Sequence, residues 1–355
     1  MMLVVNAGSS SIKFALFDAG LTETLSGAVT EIGPEARLEI AGQAQKVAAR
    51  THDAAIHLIL AALSDHGHPV TGLTAAAHRV VHGGTAFTGT VRVTPEVIAA
   101  IEAQVPLAPL HNPHNLSPIL ALQARAPALP QVAGFDTAFH ATIPDVAQTY
   151  ALPLAERDRG LRRYGFHGIS YAGLTETLRA RGDLPDRLLA LHLGNGASAC
   201  AIRDGRSVAS TMGYSPTSGL TMGTRSGDID PMVVLDLATR HGIDGAADLL
   251  NRQSGLKGLG GHSDMRALHA TETDEARFAI DHFVQTAIRQ CGSLIAAMGG
   301  LEAIAFTGGI GENDAVIQDR ITRGLLWAGA VPVHIVPAEE ERTLARDALA
   351  LLQTE

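Results

Sequence analysis

The sequence predicts an α/β fold built as two similar halves, and three observations carry that prediction. A short apolar strand at residues 3–5 meets the turn NAGSSS and a second strand at 12–17, closing on Asp18-Ala19-Gly20. The same grammar returns at residues 188–193, GNGASA and 200–202, closing on Asp204-Gly205, so Gly8 and Gly196 occupy matching places. Glycine-turned pairs of apolar runs signal hairpins, and their recurrence far apart marks a duplicated unit. Between and after the hairpins, strand-like runs alternate with helix-period segments, the pattern of helices layered on sheets.

In chain order, apolar residues recur at three- and four-residue steps over 52–63, 95–105, 115–125, 171–181, 230–241, 274–298 and 315–328, which predicts helices. Strand-like runs at 75–81, 131–135 and 302–307 separate some of them, and the loop-rich stretch 136–144 is the natural crossover between halves. A length of 355 residues suits two domains. With Lys+Arg 27 against Asp+Glu 36, a net charge of −9, the chain lacks the basic surplus that non-specific nucleic-acid binding needs, so nucleic acid is not an expected partner. Cys200 and Cys291 sit in no CxxC pattern and make no disulfide framework, which points to a reducing cytoplasm. The N-terminus has no signal-peptide pattern. The most apolar long stretch, 293–311, contains Glu302 and five glycines, so no membrane span is expected.

Glycine turns after strands suit phosphate, because glycine lets backbone N–H groups come close to its oxygens. No GxxxxGK[ST] occurs. GNGASA fits G-x-G-x-x-A but leads into another strand rather than a helix, and alone it reads as a hairpin turn. FTGGIGEN (306–313) reads as a strand-to-helix turn, either a nucleotide seat or an ordinary connection. His78 with His82, and His111 with His114, have helical or strand spacing but no carboxylate or cysteine nearby to complete a zinc set, so buried, satisfied histidines are expected.

Three glycine turns in this order with a repeated half resemble the layout of the actin, Hsp70 and sugar-kinase superfamily, and within it the chain is similar to the acetate kinase family. The segments that carry the resemblance are LVVNAGSSSIKF (3–14), AHRVVHGG (77–84), PLAPLHNPHNL (106–116), FDTAFH (135–140), RRYGFHG (162–168), HLGNGAS (192–198), MGYSPTSGLTMGTRSGDIDP (212–231), SDMR (263–266) and FTGGIGEN. They run through almost the whole chain in the family's order, and the 212–231 block is the most specific. The resemblance implies two duplicated RNase H-like domains about a central nucleotide cleft. These are residues 1–137 with a returning 341–355 helix, and a nucleotide-binding, dimerising domain at 138–340. It also implies a cytoplasmic homodimer that reversibly moves the γ-phosphoryl group of ATP to acetate, giving acetyl phosphate and ADP. The residue types suit that reaction: a carboxylate acceptor is already ionised and needs no general base, while the transferring group needs positioning and positive charge.

Carried over residue by residue, the resemblance makes Arg79 and Arg225 the guanidinium groups that hold the acetate carboxylate and the moving phosphoryl group; on residue type alone either could be a surface ion pair. It makes His167 a hydrogen-bonding partner of the transferring group, His111 a supporting one, and Asp136 a neighbour of the metal. The implied metal is Mg²⁺, with Mn²⁺ as a substitute, held chiefly by the nucleotide phosphates with oxygens of Asn6, Asp136 and Glu340 close by. Glu340 is one of three consecutive glutamates, Glu339 to Glu341, any of which could instead cap a terminal helix. For the nucleotide it implies Ser11 and Lys13 in the first phosphate turn, although a hydroxyl-rich turn can be a self-capping loop. His192, Asn195 and Gly196 fall at the phosphates, Asp264 and Arg266 at the adenosine end, and Gly309, Ile310, Gly311 and Asn313 in the turn against the base. Val81, Leu110, Phe166 and Pro216 would line the acyl pocket, with Val81 narrowing it toward a methyl group.

The chain departs from the family in three places. The interval from Gly309 to Glu340 is tight, the stretch before residue 52 is trimmed, and FHGISY stands where FHGTSH is common, putting Ile169 and Tyr171 behind His167. Other readings stay open: a propionate or other short-chain acyl kinase; a sugar kinase, in which Asp136 would serve as base to a hydroxyl; and an actin- or Hsp70-like ATP clamp, which needs no arginines for a carboxylate.

Overall fold

The computed structural model describes residues 1–109 and 111–354, and the chain divides into two compact units, Met1–Ala138 with Glu339–Glu355, and Phe139–Ala338. The first holds an eight-stranded sheet of β1 (Met2–Ala7), β2 (Ile12–Phe17), β3 (Glu23–Thr30), β4 (Arg37–Ile40), β5 (Gln43–Lys46), β6 (Ala75–Val80), β7 (Val91–Arg92) and β8 (Gln131–Phe135). Its spatial order is β5-β4-β3-β2-β1-β6-β8-β7. β1 and β2 form the expected hairpin, pairing Met2 with Phe17 through Ala7 with Ile12, while β6 and β8 run parallel to β1.

β1 and β8 are buried at nearly every residue, as strands covered on both faces are. Leu3, Val5 and Phe14 pack with Ile56, Ile59 and Leu63 of helix His52–Asp65, and the C-terminal helix Glu340–Gln353 lies against β1, β6 and β8. Helix starts follow local chemistry. Thr51 and Thr94 accept from the backbone N–H of Ala54 and Val97, and Pro95 occupies the first turn, where its missing N–H costs nothing.

The second unit holds β9 (Arg187–Leu193), β10 (Ala197–Arg203), β11 (Arg206–Ser210), β12 (Ala303–Thr307) and β13 (Val333–Ile335), in the order β11-β10-β9-β12-β13. That order and sense repeat β3-β2-β1-β6-β8 of the first unit: an antiparallel three-strand meander followed by two parallel strands. The duplication read from two glycine turns is therefore present in the sheets. Helix Asp274–Met298, capped by Thr273, packs along β10.

Some boundaries differ from expectation. Residues 231–241 are helical, with Asp230 as the cap, but the helix Pro231–Asp248 resumes after a break at Gly242 (φ 72°, ψ 169°), a conformation glycine adopts freely. Residues 315–328 divide into helix Ala315–Gly324 and a 3₁₀ turn Leu326–Ala328. The third helix of the first unit starts at Asn112 rather than 115, with Pro113 in its first turn. The GGIGEN segment, expected as a turn, is itself a short helix, Gly308–Asn313, because its glycines and Asn313 close helical bonds directly off β12.

Phe14 is 1% exposed in the first unit's core. Phe14→Ala should lower the stability of that unit by about 3 to 5 kcal/mol, read as an earlier first transition in urea unfolding.

Candidate functional site

In the first unit the parallel strands bring three polar side chains together at their C-terminal ends, the side of an open α/β sheet where ligands bind. Asn6 lies on β1, Arg79 near the end of β6, and Asp136 just after β8, where its N–H donates to the Val80 carbonyl (3.0 Å). The Arg79 guanidinium grips Asp136 in a bidentate manner: Nη2 donates to Oδ2 at 2.6 Å, and Nε to Oδ1 and Oδ2 at 3.1 and 3.2 Å. Nη1 donates to Asn6 Oδ1 at 3.1 Å, and the amide of Asn6 donates to Glu341 Oε1 at 3.1 Å. Burial opposes the charge of Arg79, but Asp136, Glu340 and Glu341 outweigh it and raise its pKa, so the guanidinium stays charged at any working pH. One N–H on each terminal nitrogen is left outside these bonds among the described residues, the fork a carboxylate accepts.

Of the three glutamates, Glu341 makes the hydrogen bond to Asn6; Glu340, the residue singled out from sequence, acts on Arg79 through its charge. Lys13 pairs directly opposite Asn6 in the β1–β2 ladder and so shares its face. Ser11 lies in the same hairpin, its carbonyl accepting from Gly8 N–H at 2.8 Å. Val81 is buried, and its N–H donates to Asn115 Oδ1 (2.9 Å), whose own amide donates to the Ala7 carbonyl (2.7 Å). His111 is the half-buried N-terminal residue flanking helix Asn112–Arg125. Leu110 lies outside the described residues.

In the second unit the GNG turn between β9 and β10 is the centre. A Cβ added to Gly196 would lie 3.3 Å from His167 Nε2 and 3.6 Å from Arg225 Nη1, and one added to Gly194 would lie 3.7 Å from His192 Nε2. Two imidazoles and a guanidinium therefore point nitrogens at this turn. The His167 and His192 rings stack at 4.1 Å between centroids, and each Nδ1 is held by a serine: His167 by Ser198 Oγ (2.9 Å), His192 by Ser170 Oγ (2.8 Å). His167 sits in a left-handed conformation (φ 58°, ψ 22°) as the flanking residue of helix Gly168–Arg181, so the chain turns sharply there and throws the ring out of the helix.

Arg225 Nη1 donates to the Pro216 carbonyl at 2.8 Å, closing its loop, and Gly223 N–H donates to the Asn195 carbonyl at 2.9 Å, tying that loop to the turn. The loop needs glycine at 255 (φ 64°), where a Cβ would come within 2.6 Å of the Arg225 carbonyl oxygen. Phe166 is buried, its carbonyl accepting from His140 Nε2 (2.9 Å).

A cavity of about 920 Å³ opens beside the turn, lined by Asn195, Asp264, Arg266, Gly309, Ile310 and Asn313, together with Gly194, His269 and Asp314. Its size suits a nucleotide. Gly309 has open space where a side chain would project, whereas Gly311 packs against Leu193 and Phe306 and does not line the cavity. Arg266 donates to Asp264, which holds that carboxyl down at about 2; both are exposed, so the pair orients more than it stabilises.

Sequence reasoning missed several residues that hold these groups. Asn112 brackets His82 by accepting its N–H (3.1 Å) and donating to its carbonyl (3.0 Å); with Asn115 it fixes the segment after Arg79, and the signal was present in HNPHN. Glu312 Oε1 accepts from Gly308 (3.0 Å) and Ala338 (2.9 Å), and His269 Nε2 meets Asp314 Oδ2 at 2.8 Å. Neither interaction has a local sequence signal.

Cationic clusters rich in donors, one in each unit, suit transfer of a phosphoryl group to an acceptor that is already ionised. The fold is shared with a sugar-kinase-like protein of Listeria monocytogenes, at a TM-score of 0.50 and 13% identity. The chain belongs to the acetokinase family, whose sequence pattern matches residues 1–343. It is 43% identical to the acetate kinase of Methylocella silvestris over 99% of this chain and 98% of that one. That alignment spans 395 positions, more than the chain's own length, so the relative carries residues that are missing here. A crystal structure of Porphyromonas gingivalis acetate kinase matches with a TM-score of 0.91 at 34% identity, covering 99% of each chain. A propionate kinase from Francisella tularensis matches with 0.93 at 32%, covering 98% of each.

His140 and His78 are buried, and desolvation lowers each to about 4 against 6.5 when solvated, so both are neutral in the fold. The unfolded chain then binds more protons as pH falls, so stability that is full above pH 6.5 drains away toward pH 4. Melting temperature should fall across that window, and His140→Gln, which can still donate to Phe166, should flatten part of the slope.

Proposed function

We infer that this member of the acetokinase family transfers the γ-phosphoryl group of ATP to acetate by direct in-line displacement, reversibly. The observation that carries this reading is the braced, permanently charged Arg79, with an N–H fork left for a carboxylate. Acetate binds that fork as its anion, and one of its oxygens attacks the γ-phosphorus. The new O–P bond forms as the bond to the β,γ-bridging oxygen breaks, and ADP leaves with that electron pair. No proton has to move. His167 and Arg225 hold the negative charge on the equatorial oxygens, with His111 in support; His192, Asn195, Gly196, Ser11 and Lys13 steady the phosphates. Asp264, Arg266, Gly309, Ile310 and Asn313 seat the adenosine. The two compact units correspond to the two RNase H-like domains.

Mg²⁺, or Mn²⁺ in its place, fits the hard oxygen donors around Arg79: Asn6, Asp136, Glu340 and Glu341. Such an ion would be carried mainly by the nucleotide phosphates; no three His, Cys, Asp or Glu groups among the described residues form a cage. Bound, it supplies charge neutralisation on those phosphates.

The likeness to a propionate kinase gives the second reading its weight. Val81 decides between them: its amide donates to Asn115, which fixes the backbone from which the isopropyl group projects. A homodimer is favoured by the exposed apolar residues at the start of helix Pro231–Asp248, where Met232 is 68% and Leu235 58% exposed. A cytoplasmic setting agrees with two buried free cysteines; no described helix is long and apolar enough to cross a membrane.

With ATP, Mg²⁺ and acetate, hydroxylamine should trap acyl phosphate, and Arg79→Ala or Arg225→Ala should reduce it about 100- to 1,000-fold with the circular dichroism unchanged. Unchanged transfer in either variant removes that arginine's role. Propionate should be about 10- to 200-fold poorer, a gap that Val81→Ala should narrow. Leu235→Glu should yield monomers by sedimentation.

A further inference from the structure

Behind His167 lies a second hydroxyl that the reaction outlined above does not use. Tyr171 is completely buried on helix Gly168–Arg181, one turn beyond His167, and its Oη lies 2.6 Å from Ser198 Oγ, the same oxygen that lies 2.9 Å from His167 Nδ1. Ser198 is on β10 and is itself fully buried. The three groups form an unbranched chain: phenol, hydroxyl, imidazole.

The protons of this chain run in one direction. Burial, reinforced by the neighbouring Cys200, raises the Tyr171 pKa well above 10, so the phenol keeps its proton. The His192 backbone hydrogen-bonds to the phenolic oxygen, so the proton needs a separate acceptor, and the one in reach among the described residues is Ser198 Oγ. Tyr171 therefore donates to Ser198. Ser198 has one proton of its own, and the hydroxyl accepting from Tyr171 spends it on the remaining partner, Nδ1 of His167. An Nδ1 that accepts is unprotonated, so the ring proton sits on Nε2, the nitrogen that lies beside Gly196. The opposite direction would leave a phenolic proton unpaired in a dry core.

We propose that Tyr171 is a positioning residue: through Ser198 it locks His167 in the Nε2–H tautomer and aims that donor at the glycine turn, readying it for the transferring phosphoryl group. The catalytic half of this statement rests on the acetate kinase reading; the tautomer does not. The stack on His192 holds the ring plane, and the hydroxyl chain selects which nitrogen carries hydrogen.

The test uses the full-length protein labelled with ¹⁵N-histidine, the His167 signal being identified by its loss in His167→Asn. The wild-type signal should show an unprotonated Nδ1 and a protonated Nε2 at pH 7.5. In Tyr171→Phe, which keeps the ring and removes the donor, the two shifts should move toward averaged values, and Ser198→Ala should do the same. In the acyl phosphate assay each variant should lose about three- to tenfold in kcat, with the KM values for acetate and ATP within twofold. The double variant should lose no more than the worse single one, because both remove one relay. An unchanged His167 signal in Tyr171→Phe, or losses that multiply in the double variant, overturns the proposal. If no acyl phosphate forms with the wild type, the functional reading fails, and the nitrogen shifts still decide the tautomer.

Discussion

The first unit is organised around one electrostatic constraint: a largely buried guanidinium must be matched by carboxylate. Arg79 reaches into the end of the sheet, and the fold can place it there only because Asp136 arrives on the adjacent parallel strand to take two of its nitrogens. Removing one partner of such a pair strands the other charge in a poorly solvated place, a far larger loss than breaking a surface bridge. The register of β1, β6 and β8 is thus tied to chemistry. A slip along any of them would separate Asn6, Arg79 and Asp136 as well as turn core residues outward.

Around that constraint the two units use the same topology for different tasks. In the first, the hairpin turn carries serines and a lysine beside the arginine cluster. In the second, the matching turn carries GNG, which lets two imidazoles and a guanidinium approach the backbone. Buried amides and hydroxyls do the fixing in both. Asn112 and Asn115 pin the segment after Arg79, and Ser198 and Ser170 pin the imidazoles. A buried polar group with every bond made rigidifies its surroundings, and here the rigid parts are those that carry charge.

Much of this was legible in the sequence. Hairpins, the duplication and the long helices follow from periodicity and turn chemistry, whereas the caps at Thr51, Thr94 and Thr273 emerged with the structure. The candidate site residues were picked out through motif resemblance rather than through physics, since nothing local distinguishes Arg79 from a surface arginine. What stayed hidden is non-local: the choice of Glu341 over Glu340 depends on how the last helix is turned against β1, and the His269–Asp314 contact joins residues far apart in the chain. GGIGEN was misjudged because glycine is a poor helix former in isolation, yet Glu312 satisfies the amide of Gly308 and offsets part of that weakness.

The left-handed backbone at His167 narrows what can ever stand there. L-residues enter that region at a steric cost, with asparagine, aspartate and histidine paying least among those bearing side chains and β-branched residues most. Lineages drifting from this sequence would find few replacements compatible with the bend, irrespective of what the side chain does for turnover. Invariance at that position would then report geometry and chemistry at once, and separating the two requires comparing asparagine with glutamine there, since asparagine tolerates the bend and glutamine does not.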